Sequence, residues 1–269
     1  MLGKVFKHEM KSTARLFLPM MIGFVVVTLL CKLTFESSYS LFLDHGRLLD
    51  TIMMIFFCLY FIYVIALFVM TGVFIAMHFY KTMAGDQGYL TNTLPVKAST
   101  LIQAKTLAAV IWEIIAGALL FLSFILFFIG HIQMYDLLEF FGNLRDLYHE
   151  LALYMNMPLL ITEAVIILIL ELISGPLMLY AAVALGHLFR KHRVLWAVVS
   201  YFVIYVALQI ITSTFFTALS YSSFLFRSSV DTYRVMGDFI LFTIVVSALC
   251  TAGFYAITNY IFARRLNLD

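Results

Sequence analysis

One acidic residue of this sequence lies where a charge is costly. Glu171 occurs thirteen residues after Pro158 in an apolar run, which is about 20 Å along a helix and near the centre of a bilayer. A charge there costs at least about 2.5–3.5 kcal/mol, so such a group normally faces protein or water. Ser174-Gly175-Pro176 follows directly and predicts a bent, unwound helix. An acid beside unwound backbone suits a proton or solute path; a neutral glutamic acid buried at a kink is the alternative.

A second group of polar residues recurs every fourth position in another apolar run: Tyr201, Tyr205, Gln209, Ser213 and Thr217. A stripe of hydroxyls and one amide needs a protein neighbour or a cavity. Helix packing and a cavity both remain open. The predicted substrate path consists of Glu171, Ser174, Tyr205, Gln209 and Ser213.

The sequence carries no motif of a nucleotide, metal or dinucleotide site. G-x-x-x-x-G-K-[ST], H-E-x-x-H, paired cysteines, G-x-S-x-G and G-x-G-x-x-G do not occur in it. We therefore expect no catalytic residue, no metal and no cofactor in this chain.

The elements that position these residues are apolar helices. The chain is 64% hydrophobic and 12% charged, against about 45–50% and about 25% in soluble domains. A span needs about 20 mainly apolar residues, and the sequence predicts an all-α integral membrane protein with six of them. They are Leu16–Thr34, Thr51–His78, Leu101–Gly130, Pro158–His187, Val194–Ser220 and Asp238–Phe262.

The distribution of basic residues predicts the orientation. Of the 17 lysines and arginines, twelve lie in the N-terminal segment, the second and fourth loops and the C-terminus. Loops rich in these residues stay in the cytoplasm. Both termini are therefore expected to be cytoplasmic, with residues 131–157 as an external loop. The basic residues are topology signals and do not indicate nucleic acid.

Two amphipathic segments accompany the spans. Residues 1–15 are predicted to form an N-terminal helix on the cytoplasmic leaflet, with a basic face toward anionic lipid headgroups. Residues 16–269 then form the transmembrane domain. Within the external loop, apolar residues from Leu137 to Leu151 predict a second interfacial helix.

The loop of residues 81–100, between spans two and three, contains G-Y-L-T-N-T-L-P-V. Glycines permit a tight reversal, and Tyr89–Leu94 is predicted to form a short helix across the membrane plane that ends before Pro95. Thr100 with Gln103 resembles a capping box at the start of span three. Apolar residues in a water-exposed helix indicate a docking surface; a plain interfacial turn is the alternative.

This string, followed by Lys105 and Trp112, closely resembles the first cytoplasmic loop of type-2 ABC transporter permeases from Tyr80 to Gly117. The resemblance implies that the loop contacts an ATPase through Gly88, Tyr89, Leu90, Thr91, Leu94 and Pro95. It also implies two separate ABC ATPase subunits that bind ATP–Mg, and a second permease copy or a homologous permease. The expected activity is export of hydrophobic or amphipathic compounds, antimicrobial peptides or lipid-like material across a bacterial cytoplasmic membrane.

Two alternatives come from other classes of protein. One is a secondary transporter that uses Glu171 as a proton carrier and needs no ATPase. The other is a membrane protein that sequesters a lipid or peptide, for example for immunity, without turnover of ATP. The sequence does not identify the substrate.

Overall fold

The computed structural model describes residues 2–40, 47–85, 97–128, 134–189, 191–226 and 229–264. Within these ranges it contains α-helices, one π-helical turn and no strand. The helices are α1 Leu2–Ser40, α2 Arg47–Phe79, α3 Ala98–Phe128, α4 Met134–Tyr154, α5 Met157–Gly186, α6 Arg193–Phe226 and α7 Ser229–Arg264, and the π turn is Tyr80–Ala84.

Six of these helices are long and apolar enough to cross a membrane. Their bounds are Leu2–Thr34, Met54–Ala84, Ala98–Leu126, Met157–Gly186, Arg193–Tyr221 and Val235–Ala263. The prediction of an all-α membrane protein with six spans is confirmed. Helix α4, which lies between the third and fourth spans, is the amphipathic segment predicted for the external loop.

The structure differs from the sequence prediction at three points. Helix α1 runs unbroken from Leu2 to Ser40, so residues 1–15 do not form an element separate from the first span. Helix α5 is continuous through Ser174-Gly175-Pro176, because a single proline removes one hydrogen bond and need not unwind a helix that packs well. Helix α3 starts at Ala98, where Lys97 O accepts the first amide bonds, so Thr100 lies inside the helix and is no cap.

The chain divides into two compact units. The first unit is Met1–His78 with Gln103–Gln133, and the second unit is Phe79–Ile102 with Met134–Asp269. The chain passes from one unit to the other between His78 and Phe79, and returns between Ile102 and Gln103. Most of α2 and α3 therefore belongs to the first unit, whereas Phe79 and Ala98–Ile102, at the ends of these helices that face the loop, belong to the second.

In the first unit, α2 runs antiparallel to α1 and α3 runs parallel to it. As residue numbers rise in α1 they fall in the partners on α2, in the pairs Glu9–His78, Phe17–Phe74, Met20–Tyr63 and Cys31–Phe56. They rise together with α3 in the pairs Glu9–Lys105 and Thr13–Trp112. The buried seam of α1 explains this packing, since its members recur every three or four residues: Glu9, Thr13, Phe17, Met21, Phe24, Thr28 and Cys31.

In the second unit, α6 runs antiparallel to both α5 and α7. A tight turn brings Gly186 on α5 so close to Ala197 on α6 that a Cβ on Gly186 would lie 2.5 Å from the Ala197 amide nitrogen. Further along α6, Phe215 stacks on Phe242 of α7 with ring centroids 3.6 Å apart. Helices α5 and α7 are therefore parallel and place Glu171 beside Ser247.

Candidate functional site

The predicted ATPase contacts Gly88, Tyr89, Leu90, Thr91, Leu94 and Pro95 lie outside the described residues, in the range 86–96. The structure describes the chain on both sides of that range. The candidate site is therefore built from the two flanks of the coupling loop and from the polar groups of the spans.

Both flanks of the loop are bound to one carboxylate in the first unit. His78 at the end of α2 and Lys105 near the start of α3 each place a nitrogen 2.7 Å from a different oxygen of Glu9. The side chains of His78, Lys105 and Glu9 are 12%, 1% and 10% exposed. A buried ion pair offsets its loss of hydration only with good geometry and satisfied oxygens, and both Glu9 oxygens are used here.

A second polar layer follows one turn further along α1. Trp112 Nε1 donates to Thr13 Oγ1 at 2.8 Å, and Thr13 Oγ1 in turn donates to the Glu9 carbonyl at 2.8 Å. The Trp112 ring stacks on Phe17 with centroids 4.9 Å apart. Lys105 and Trp112, two of the residues that carry the family resemblance, thus hold the N-terminal part of α1 against α3.

The chain that enters the loop is anchored by aromatic rings in the second unit. Phe79 is fully buried; its ring stacks on Tyr180 of α5 at 3.9 Å and meets the edge of Phe262 of α7 at 5.4 Å. The π turn that follows buries Met83 completely. π-Helical turns are rare and occur often at functional sites. This one closes with a 2.7 Å bond from the Gly85 amide to Tyr80 O.

His187, at the end of α5, contacts the same turn. Its ring lies 5.6 Å from that of Tyr80, and its Nε2 is buried without a hydrogen-bond partner among the described residues. Burial lowers the pKa of His187 below its ordinary value, the positive charge of Arg193 lowers it further, and a hydrogen bond to the Ala84 backbone partly opposes both. Together these effects favour the neutral imidazole.

The structure places Glu171 on the exposed surface of α5, one turn from Ser174, which is buried. Ser247 of α7 donates its hydroxyl to Glu171 Oε1 at 2.6 Å. No hydrogen bond within the described ranges joins Glu171 to Tyr205, Gln209 or Ser213. The predicted substrate path therefore stays a prediction, and its members are not joined to one another by hydrogen bonds within the described residues.

Tyr205, Gln209 and Ser213 instead share an exposed stripe on α6. No residue in the most apolar 18-residue window of this helix is buried. Ser213 donates to the backbone oxygen of Ile210 on its own helix, which satisfies its hydroxyl as in many membrane helices. The Gln209 amide has no hydrogen bond with any described residue. In a membrane, that amide needs a partner from water or from another chain.

The role of Glu9 is not among the predictions from the sequence. The sequence does contain a signal for an ion pair at this position. Glu9 is the only acidic residue before Glu36, and it lies among four basic residues. By position in the sequence, Glu113 on the same helix is the nearer candidate partner for Lys105. The structure pairs Lys105 with Glu9, 96 residues away in the sequence.

The described residues contain no group of three or more His, Cys, Asp or Glu side chains that could hold a metal ion. Comparison of the chain with protein-family profiles, with curated proteins and with solved structures found no match.

Proposed function

We propose that this protein is the membrane-spanning permease subunit of an ATP-driven ABC exporter. In this proposal two ATPase subunits bind the loop of residues 81–100. A second permease, identical or homologous, completes the transporter. The exported compounds are hydrophobic or amphipathic, such as peptides or lipid-like molecules. The resemblance of residues 80–117 to type-2 permeases is the starting point.

The observation that carries the proposal is the fixation of both flanks of the loop. His78 and Lys105 bind the same buried carboxylate, and Phe79 is clamped between two rings. A turn that only reverses the chain at the membrane surface needs neither a buried ion pair nor a buried aromatic stack. A loop whose ends are fixed passes a displacement to the spans, because close-packed side chains do not absorb strain easily.

The exposed polar surface of the second unit supports a second membrane subunit. Gln209 and Glu171 lie on exposed surfaces within apolar helices, where contact with lipid tails is unfavourable. A neighbouring permease, with water between the two, would satisfy both groups. This is the arrangement in which α5 and α6 line the export path.

The proposed location is the cytoplasmic membrane of a bacterium, with both termini and the loop of residues 81–100 in the cytoplasm. The distribution of lysine and arginine supports this orientation. A cysteine at Lys97 should react with a membrane-impermeant maleimide only after the cells are opened, and one at Arg145 should react in intact cells. Labelling of position 97 in intact cells would show that the orientation is the reverse of the proposed one.

The test of the function uses the P-loop ATPase encoded nearest to this gene. Purified alone, the permease should neither bind nor hydrolyse ATP. Co-expressed with that ATPase, it should form a complex that survives detergent purification. The triple change Tyr89→Asp, Leu90→Asp and Leu94→Asp should abolish the complex, since three charges in an apolar interface are strongly unfavourable.

The matched control places the same charges on the opposite side. Tyr135, Leu138 and Phe141 of α4 are exposed apolar residues, and their change to Asp should leave the complex intact. If the loop variant keeps both complex and ATPase rate, the docking role is wrong.

A second candidate function, a proton-coupled transporter, is favoured by one observation. Glu171 is an exposed acid near the middle of a span and accepts a hydrogen bond from Ser247. Glu171→Gln keeps the size of the side chain and its acceptor oxygen. In an ATP-driven exporter this variant should transport at nearly the wild-type rate. Complete loss of transport in a well-folded variant, together with uptake or efflux driven by a proton gradient alone, would favour the second candidate.

A further inference from the structure

The turn between α5 and α6, residues 187–192, joins two helices that pack closely at this end. Gly186 and Ala197 approach so closely that no side chain fits between them, and His192 adopts a left-handed conformation with φ 58°. Phe189 and Trp196 stack across the turn with ring centroids 4.3 Å apart and planes 12° apart. The rings of Phe189 and Trp196 therefore have a defined arrangement.

Positive charge in this turn has no carboxylate nearby in the sequence. Residues 172–230 contain no aspartate or glutamate, whereas Arg190, Lys191 and Arg193 lie together. Lys191 is exposed and forms no ion pair with the described residues. Lys191 thus offers an exposed cation to a negatively charged partner, and Arg193 adds positive charge beside it.

The same turn exposes apolar rings beside the cations. Leu188, Phe189 and Trp196 are 49%, 43% and 38% exposed, at the end of a span where tryptophan is enriched at the headgroup level. A phosphate above an acyl chain matches this combination, since basic side chains bind the phosphate and rings occupy the glycerol region. A soluble acidic partner would leave the rings in water.

We propose that the α5–α6 turn binds the headgroup of an anionic phospholipid. Lys191 contacts the phosphate, the charge of Arg193 adds to the attraction, and the stacked pair Phe189–Trp196 lies against the upper acyl chains. The site is formed by this chain alone and does not depend on the proposed transport function.

The chain provides its own reporter, because it contains two tryptophans. In Trp112→Phe, which keeps a ring against Phe17, Trp196 is the only indole. The protein is reconstituted into vesicles of dibrominated phosphatidylglycerol or dibrominated phosphatidylcholine, and quenching of Trp196 fluorescence gives the relative binding constant of the two lipids. We expect at least about a threefold preference for phosphatidylglycerol, given the attraction of a basic residue to an anionic leaflet.

Lys191→Gln with Arg193→Gln, in the same background, should reduce the ratio to about 1. Lys191→Arg should retain the preference. The control is Trp196→Phe, in which the remaining Trp112 is 4% exposed and should be quenched equally by both lipids. The same comparison of lipids is repeated with the wild-type protein, in which Trp112 adds a constant background. This measurement checks that the Trp112→Phe change does not itself cause the lipid preference.

Two results would overturn the proposal. Equal quenching of Trp196 by both lipids would show that these basic residues act only as orientation signals. A preference that persists in the double glutamine variant would place the anionic lipid elsewhere.

Discussion

The two units differ in where they place the polar groups described above. In the first unit the ionic groups face inward, and Glu9, His78 and Lys105 satisfy one another inside three helices. In the second unit the helices are joined by aromatic stacking and a close glycine contact. There, Gln209 and Glu171 remain on the exposed surface.

This difference suits the two units to different tasks. Inward ionic contacts are strong only in one geometry, so the first unit is suited to hold a fixed shape around the flanks of the loop. Stacked rings tolerate small shifts, and exposed polar groups require a partner. The second unit therefore presents polar groups that the proposed second permease would satisfy.

The largest expected effect comes from breaking the ionic cluster. Lys105→Met leaves Glu9 with His78 alone in a buried site and should lower the free energy of unfolding by about 3–5 kcal/mol. Thermal unfolding in detergent measures this loss. The double variant Glu9→Gln with Lys105→Met removes the uncompensated charge and should recover much of it.

The exposed Lys97 provides the control for this prediction. Lys97→Met should change the unfolding temperature little, since surface charges contribute about 0–1 kcal/mol. Equal effects at both lysines would mean that the first unit does not depend on its ionic cluster.

An intermediate effect is expected at the glycine contact of the second unit. Gly186→Ala places a methyl group 2.5 Å from the Ala197 amide nitrogen, so α5 and α6 must separate. Overpacking of this kind costs about 1–3 kcal/mol. Gly253→Ala in α7 is the matched control, because its added Cβ meets nothing within 4 Å; there helix propensity should make the change neutral or slightly stabilising.

The smallest effect is a dependence of stability on pH at His187. Its pKa is lowered in the folded protein, so the unfolded chain binds the proton first as the pH falls. Stability should therefore be constant above the ordinary histidine value of about 6.5 and decrease below it. Thermal unfolding of the wild type between pH 7.5 and pH 5 should show this decrease, and His187→Gln should reduce it. The exposed His192→Gln serves as control, and an equal reduction there would contradict the assignment.

The spans can be predicted from the sequence because length and apolarity alone define them. Their observed bounds lie close to the predicted ones except at α1. There the sequence shows the amphipathic pattern, but nothing local indicates that the helix continues without a break. The three groups of the Glu9 cluster come from helices far apart in the sequence, so only packing reveals their contact. The Phe79 clamp is unpredictable for the same reason, since a buried phenylalanine among 27 is not distinguished by its type.

The most direct test of the proposed function works without choosing a partner protein beforehand. A photoreactive benzoyl-phenylalanine replaces Tyr89, and the cells are irradiated intact. The cross-linked product is then identified by mass spectrometry. The same substitution at Tyr148 of α4, which the proposed orientation places outside the cell, is the control. The account predicts an adduct at position 89 with a protein that carries G-x-x-x-x-G-K-[ST], and none with that protein at position 148. Adducts at position 89 with lipid or with this chain alone would contradict the claim that the loop binds an ATPase.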